Sequence, residues 1–79
     1  MSDVKADVTL DTKGLSCPMP VLKTKKAIDA LEVGQVLVVH STDAGSKADI
    51  PALLSRLGHE LVDQEEDGNL FSFYIKKVK

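Results

Sequence analysis

The sequence predicts an α+β fold, a two-layer α/β sandwich in which two helices pack on one face of a mixed four-stranded sheet, in the order β-α-β-α-β-β. Three observations lead to it. Two apolar stripes with helical spacing each follow a strand-like segment. A continuous run of β-branched residues and Leu, Val36-Leu37-Val38-Val39, separates them. The triplet Asp67-Gly68-Asn69 then splits two further strand-like segments with a hairpin signal.

Taken in order, Val8-Thr9-Leu10 alternates and reads as the end of a first strand. Asp11 to Ser16 reads as a loop, with Gly14 permitting a turn. In the first helix Val21, Thr24, Ile28 and Leu31 share one face, which Ala27 extends, while Lys23, Lys25 and Lys26 lie mostly off it. Gly34 ends the connection, and the Val36–Val39 run fits a central strand covered on both faces. Thr42 to Lys47 is a polar loop. The second helix carries Ile50, Leu53, Leu54 and Leu57 on one face; Ser46 or Asp49 is its expected cap, the latter placing Pro51 in the first turn. Gly58 stops it. Leu61 and Val62 belong to a third strand. Leu70 to Lys77 forms the last, with Phe71, Phe73 and Ile75 facing one way and Ser72, Tyr74 and Lys76 the other. The last two strands should form an antiparallel hairpin. The first two should be parallel, joined by a right-handed crossover.

The 79 residues make one domain, 1–79, with no linker or repeat. A domain of this size buries only about 60% of its unfolded surface, leaving little room to enclose a substrate or cofactor. No cofactor and no metal site is therefore expected, and the lone cysteine excludes an internal disulfide or a C-x-x-C pair. The net charge of −2 and the three clustered aromatics, Phe71, Phe73 and Tyr74, speak against strong nucleic-acid binding. No segment suits a signal peptide or membrane insertion, and a free thiol fits a reducing compartment, so a cytoplasmic monomer is the expectation.

The chemistry points to Cys17. Pro18 suits the first helical position and Pro20 the first turn, so the two prolines stiffen the helix start and put Cys17 at the N-cap or beside it. Helix N-termini favour the thiolate, which is the nucleophile, and would favour a persulfide anion in the same way. Because the prolines remove two N–H donors, the expected effect is modest. A lone cysteine in a core is usually a small buried hydrophobe. Here no apolar period demands one, and the residue falls at a loop-to-helix junction.

The string Asp11-x-x-Gly14-Leu15-x-Cys17-Pro18-x-Pro20-Val21-Leu22 resembles the signature of the TusA/SirA family of sulfur-carrier proteins. Gly34, Thr42-Asp43, Asp49-Ile50-Pro51 and Gly58-His59-Glu60 match the same pattern, so the similarity spans nearly the whole chain. The resemblance implies the same fold. It also implies that Cys17 accepts sulfane sulfur as a persulfide and relays it to an acceptor protein. Donors in the family are cysteine desulfurases and rhodanese-type sulfurtransferases; fates include tRNA thiolation, molybdenum cofactor metabolism and sulfur metabolism. Met19 stands where tRNA-thiolating members commonly carry an acidic residue, and Ala44-Gly45 replaces a frequent proline.

Four further residues are candidate partner contacts. Met19 is an apolar side chain beside the thiol, and Lys23 and Lys26, with Lys25, could steer an acidic partner. Asp43 follows the second strand as Cys17 follows the first, so a parallel pair brings both to one edge. The ordinary alternatives are a solvated helix face for the lysines and an Asx-turn for Asp43. His40 and His59 offer no metal-ligand spacing to the cysteine. The competing function is a regulatory or nucleic-acid-binding module without turnover. A thiol redox sensor would lack its resolving cysteine.

Overall fold

A computed structural model of the chain describes residues 5–16 and 18–79. Its elements are β1 (Val8–Thr12), α1 (Met19–Asp29), β2 (Val36–Ser41), α2 (Ser46–Leu57), β3 (Glu60–Asp67) and β4 (Leu70–Lys76). The order is the expected β-α-β-α-β-β. The strands lie in the order β1-β2-β4-β3. β1 and β2 are parallel, with Thr12 opposite Ser41. β4 runs antiparallel to both β2 and β3, with Phe71 opposite Ser41 on one side and Glu66 on the other.

The helices cover one face of this sheet. Leu37 and Val39 of β2 and Phe71, Phe73 and Ile75 of β4 project from it into a core with Ile28, Ile50 and Leu54. The alternation read for β4 is therefore realised. β2 is a central strand, beside β4, but only one of its faces carries a helical layer. On the other, Val38 is buried by its cross-strand neighbours Thr9 and Tyr74, and His40 is half-buried.

Several boundaries differ from the sequence reading. β1 runs on through Asp11 and Thr12, because the buried Thr12 hydroxyl donates to the His40 carbonyl (2.6 Å) and keeps the pairing closed. α1 ends at Asp29; two tightened turns, Ala30 N–H to Ala27 O and Leu31 N–H to Ile28 O, then carry Leu31 into the core. α2 starts earlier than an Asp49 cap requires. Its N-cap is Gly45, Ser46 is the first helical residue and Pro51 lies inside the helix. Asp43 drives the early start, since its carbonyl accepts both the Ser46 N–H (3.0 Å) and the Ser46 hydroxyl (2.6 Å). Ser46 thus bonds backward and caps nothing.

The acidic stretch from Asp63 to Asp67 is part of β3. Ladder bonds to β4 outweigh the poor strand propensity of these residues, and the edge position keeps their charges in water. A register shift between Leu61 and Asp63 turns Val62 outward.

Phe73 is fully buried at the centre of the sheet. Phe73→Ala should cost about 3–5 kcal/mol, a large share of the ~5–15 kcal/mol total typical of a domain, and urea unfolding reads it as a much lower midpoint. On the bare face, partial burial first, and then the Glu65 carboxylate that its hydroxyl bonds and the charge of Asp63, push the Tyr74 phenol up from its ordinary value of 10.0. The folded state holds this proton more tightly than the unfolded chain. The contribution is complete below a pH of about 10 and is lost as pH rises through the folded value. Alkaline urea melts should show wild type losing stability more steeply than Tyr74→Phe.

Candidate functional site

The parallel pairing of β1 and β2 sends both chains out of the sheet at the same edge. The loop 13–18 leaves β1 there and the loop 42–45 leaves β2, so α1 and α2 both begin at that edge. The β3–β4 turn reaches it too, because Glu66 and Phe71 lie level with Ser41. Lys47, in the first turn of α2, joins this turn to the helix: its Nζ is 3.0 Å from Glu66 Oε1 and 5.3 Å from the centroid of the Phe71 ring.

Cys17 lies outside the described residues, as does its expected N-cap placement; the residues on either side are described. Pro18 is the N-cap of α1, one position earlier than the first helical position expected of it. Its backbone (φ −96°, ψ 9°) is off-helix while its carbonyl accepts the Leu22 N–H at 3.1 Å. The Met19 N–H closes back on Ser16 O (3.0 Å), and this preceding turn moves the helix start one residue along. Pro20 is the second helical residue, as its first-turn assignment required, and is buried. Two of the three residues Pro18–Pro20 therefore have no N–H and the third has spent its own.

The loop before the cysteine is tied down. Lys13 N–H donates to Asp11 Oδ1 (2.9 Å), Leu15 N–H to Thr12 O (3.1 Å) and Gly14 N–H to Thr42 Oγ1 (2.9 Å). The last bond crosses to the second loop, so the Gly14 turn and the loop that carries Asp43 are joined. Asp43 is half-buried and engaged within its own loop: its Oδ1 accepts the Gly45 N–H (3.2 Å) and its N–H donates to Ser41 Oγ (3.1 Å).

Met19, Lys23 and Lys26 are all exposed and lie on one stripe of α1. Leu22 completes it at the i, i+3, i+4, i+7 spacing and is 53% exposed. The sequence reading placed Leu22 in the motif without a role; its position three residues after Met19 and off the Thr24/Ile28 face was the available signal. Lys25 points elsewhere and pairs with Asp29 at 3.7 Å, whereas Lys23 and Lys26 carry no ion pair among the described residues. Thr24, buried, donates its hydroxyl to the Pro20 carbonyl (2.6 Å), fastening the first turn. Among the described residues there is no pocket and no group of three metal-ligating side chains, and no helix is long and apolar enough to cross a membrane.

A two-layer sandwich whose first helix starts at its sheet edge with exposed Pro18 and Met19, directly after the chain's one cysteine in sequence, fits the small thiol-presenting class of domain. Residues 8–77 match the family model described as Sulfurtransferase TusA, and the chain belongs to that family. It is 49% identical over 74 residues to YrkI of Bacillus subtilis (strain 168), covering 94% of this chain and 99% of that one. It is 46% identical over 71 residues to the sulfur carrier protein TusA of Allochromatium vinosum, covering 90% and 93%. A SirA-like protein from Desulfitobacterium hafniense, solved by crystallography, superposes with a TM-score of 0.77 at 26% identity, over 91% of this chain and 99% of that chain.

Gly14 sits at φ +82°, where only glycine is at ease, and no atom lies within 4 Å of the place a Cβ would take. Gly14→Ala should therefore cost backbone strain alone, about 1–2 kcal/mol, seen as a lower denaturant midpoint with an unchanged slope.

Proposed function

We propose that this chain is a cytoplasmic, monomeric sulfur carrier whose single domain, residues 1–79, works through Cys17. The observation that carries the reading is the membership of the TusA family, supported by a helix start at Pro18-Met19-Pro20 directly after Cys17 in the sequence. The Cys17 thiolate attacks the terminal sulfur of a donor persulfide. A new S–S bond forms at Cys17, the bond between the donor's two sulfurs breaks, and the donor leaves as a thiolate. The acceptor's thiol or activated site then repeats the exchange.

The donor is a protein, of cysteine desulfurase or rhodanese type, and the acceptor is a protein as well. Pathways open to such a carrier include tRNA thiolation, molybdenum cofactor metabolism and sulfur metabolism. Pro18 and Pro20 set the helix start. Met19 and Leu22 supply an apolar contact beside the thiol, and Lys23 and Lys26 an adjacent positive one, for a partner with an apolar notch and an acidic rim. Asp43 flanks the same contact from the second loop.

Incubation with a cysteine desulfurase and cysteine should add one sulfur atom to the intact wild type by mass spectrometry, and none to Cys17→Ser. Lys23→Glu/Lys26→Glu should load roughly tenfold more slowly at low salt, and the difference should shrink as salt rises. An unmodified wild type, or equal loading of Cys17→Ser, overturns the reading.

A further inference from the structure

Two threonines join the ends of β1 and β2, and they do different work. Thr12 is buried, and its hydroxyl donates to the His40 carbonyl of the neighbouring strand. That bond belongs to the sheet. Thr42 is exposed, and its hydroxyl accepts the Gly14 N–H of the loop that leads to Cys17. An exposed hydrogen bond of this kind adds little to stability, because water replaces it readily. Its consequence is geometric.

The base on which Thr42 stands is fixed. Ser41, just before it, is buried and receives the Asp43 N–H, and Asp43 holds Gly45 and Ser46 through its carboxylate and carbonyl. Thr42 is thus presented by a loop that bonds itself at every following turn. In the loop it receives, the Leu15 N–H returns to Thr12 O and Ser16 O accepts the Met19 N–H, and the Gly14 bond ties that loop to the second one. Gly14 reverses the chain at φ +82°, and Pro18 caps the start of α1. The reactive residue falls between these two anchors, one supplied by prolines in its own segment and the other by a side chain from the second loop.

We propose that Thr42 is a positioning residue for Cys17, holding the thiol segment at Gly14 so that the sulfur meets a protein donor in a productive orientation. The inference rests on the sulfur-carrier reading. It separates orientation from intrinsic reactivity: a docked protein donor offers its sulfur from one direction, so a loosened segment loses rate there, whereas a small freely diffusing electrophile reaches the thiol from any side.

The test compares wild type, Thr42→Val and Thr42→Ser in two reactions. One is sulfur transfer from a cysteine desulfurase with cysteine, followed by mass. The other is alkylation by iodoacetamide as a function of pH. Thr42→Val should lose about tenfold in transfer rate and keep the alkylation rate and its pH profile, and Thr42→Ser should restore transfer. Equal transfer by Thr42→Val and wild type overturns the proposal. So does a shifted alkylation profile, which would place Thr42's effect on thiol ionisation. Should Thr42→Val fail to fold in a thermal melt, Thr42→Ala against Thr42→Ser makes the same comparison. A wild type that accepts no sulfur removes the carrier reading itself, an outcome distinct from a wild type that loads and a Thr42→Val that loads equally well.

Discussion

The parallel pairing of β1 with β2 is the constraint on which the rest of the structure depends. Antiparallel neighbours can be joined by a tight turn, but parallel ones need a crossover, and α1 supplies it. The crossover has two consequences. It places the helix over the sheet, where Thr24 and Ile28 find the core. It also forces the two strands to end at a common edge, so the segments that follow them must meet. The Gly14–Thr42 bond and the Thr12–His40 bond are local expressions of that topology. Had β1 paired antiparallel, the loop carrying Cys17 would leave at the far end of the sheet from Asp43.

The same topology divides the surface charge. α1 lies over β1 and β2 and exposes Lys23 and Lys26, while Glu60, Asp63, Glu65, Glu66 and Asp67 are carried by β3 at the opposite edge. An edge strand with open backbone groups is a template for association, and charge along it opposes that pairing. The acidic edge therefore answers a folding hazard. The lysines of α1 answer none, since an amphipathic helix needs only polar residues on its outer face. Their alignment with two exposed apolar side chains, Met19 and Leu22, is what distinguishes the stripe from an ordinary solvated face.

Much of the fold was legible because periodicity survives in a short chain. Ile50, Leu53 and Leu54 announce a helix, and Phe71, Phe73 and Ile75 announce a half-buried strand, whatever surrounds them. The failures have a common cause. Asp11-Thr12, the acidic run of β3 and the residues from Asp43 to Ser46 are polar, and polar residues take their conformation from hydrogen-bond partners that periodicity does not encode. Thr12 is strand because His40 has a carbonyl in reach; Ser46 is helix because Asp43 holds it. The site shows the same division. The Cys-Pro-x-Pro spacing was readable, and so was the common edge at which the loops after β1 and β2 leave the sheet. Thr42's bond to Gly14 joins residues 28 positions apart through one hydroxyl, and no local pattern marks it.

The start of α1 also bears on what kind of thiol chemistry suits this edge. A helix beginning with free amides stabilises an anion held against it. Here Pro18 and Pro20 have no amide hydrogen, and Met19 has given its own to Ser16. The segment is stiffened while three of the amides at this helix start are absent or already taken. For an enzyme that builds up a charged intermediate this would be a poor arrangement, because the stabilisation it forgoes is the main source of rate. For a carrier the requirement is reversed. Any interaction that stabilises the loaded form more than the transition state deepens the well from which sulfur must leave. A site with fixed geometry and weak electrostatic grip keeps uptake and release close in free energy, and leaves the partners to supply the driving force in each direction.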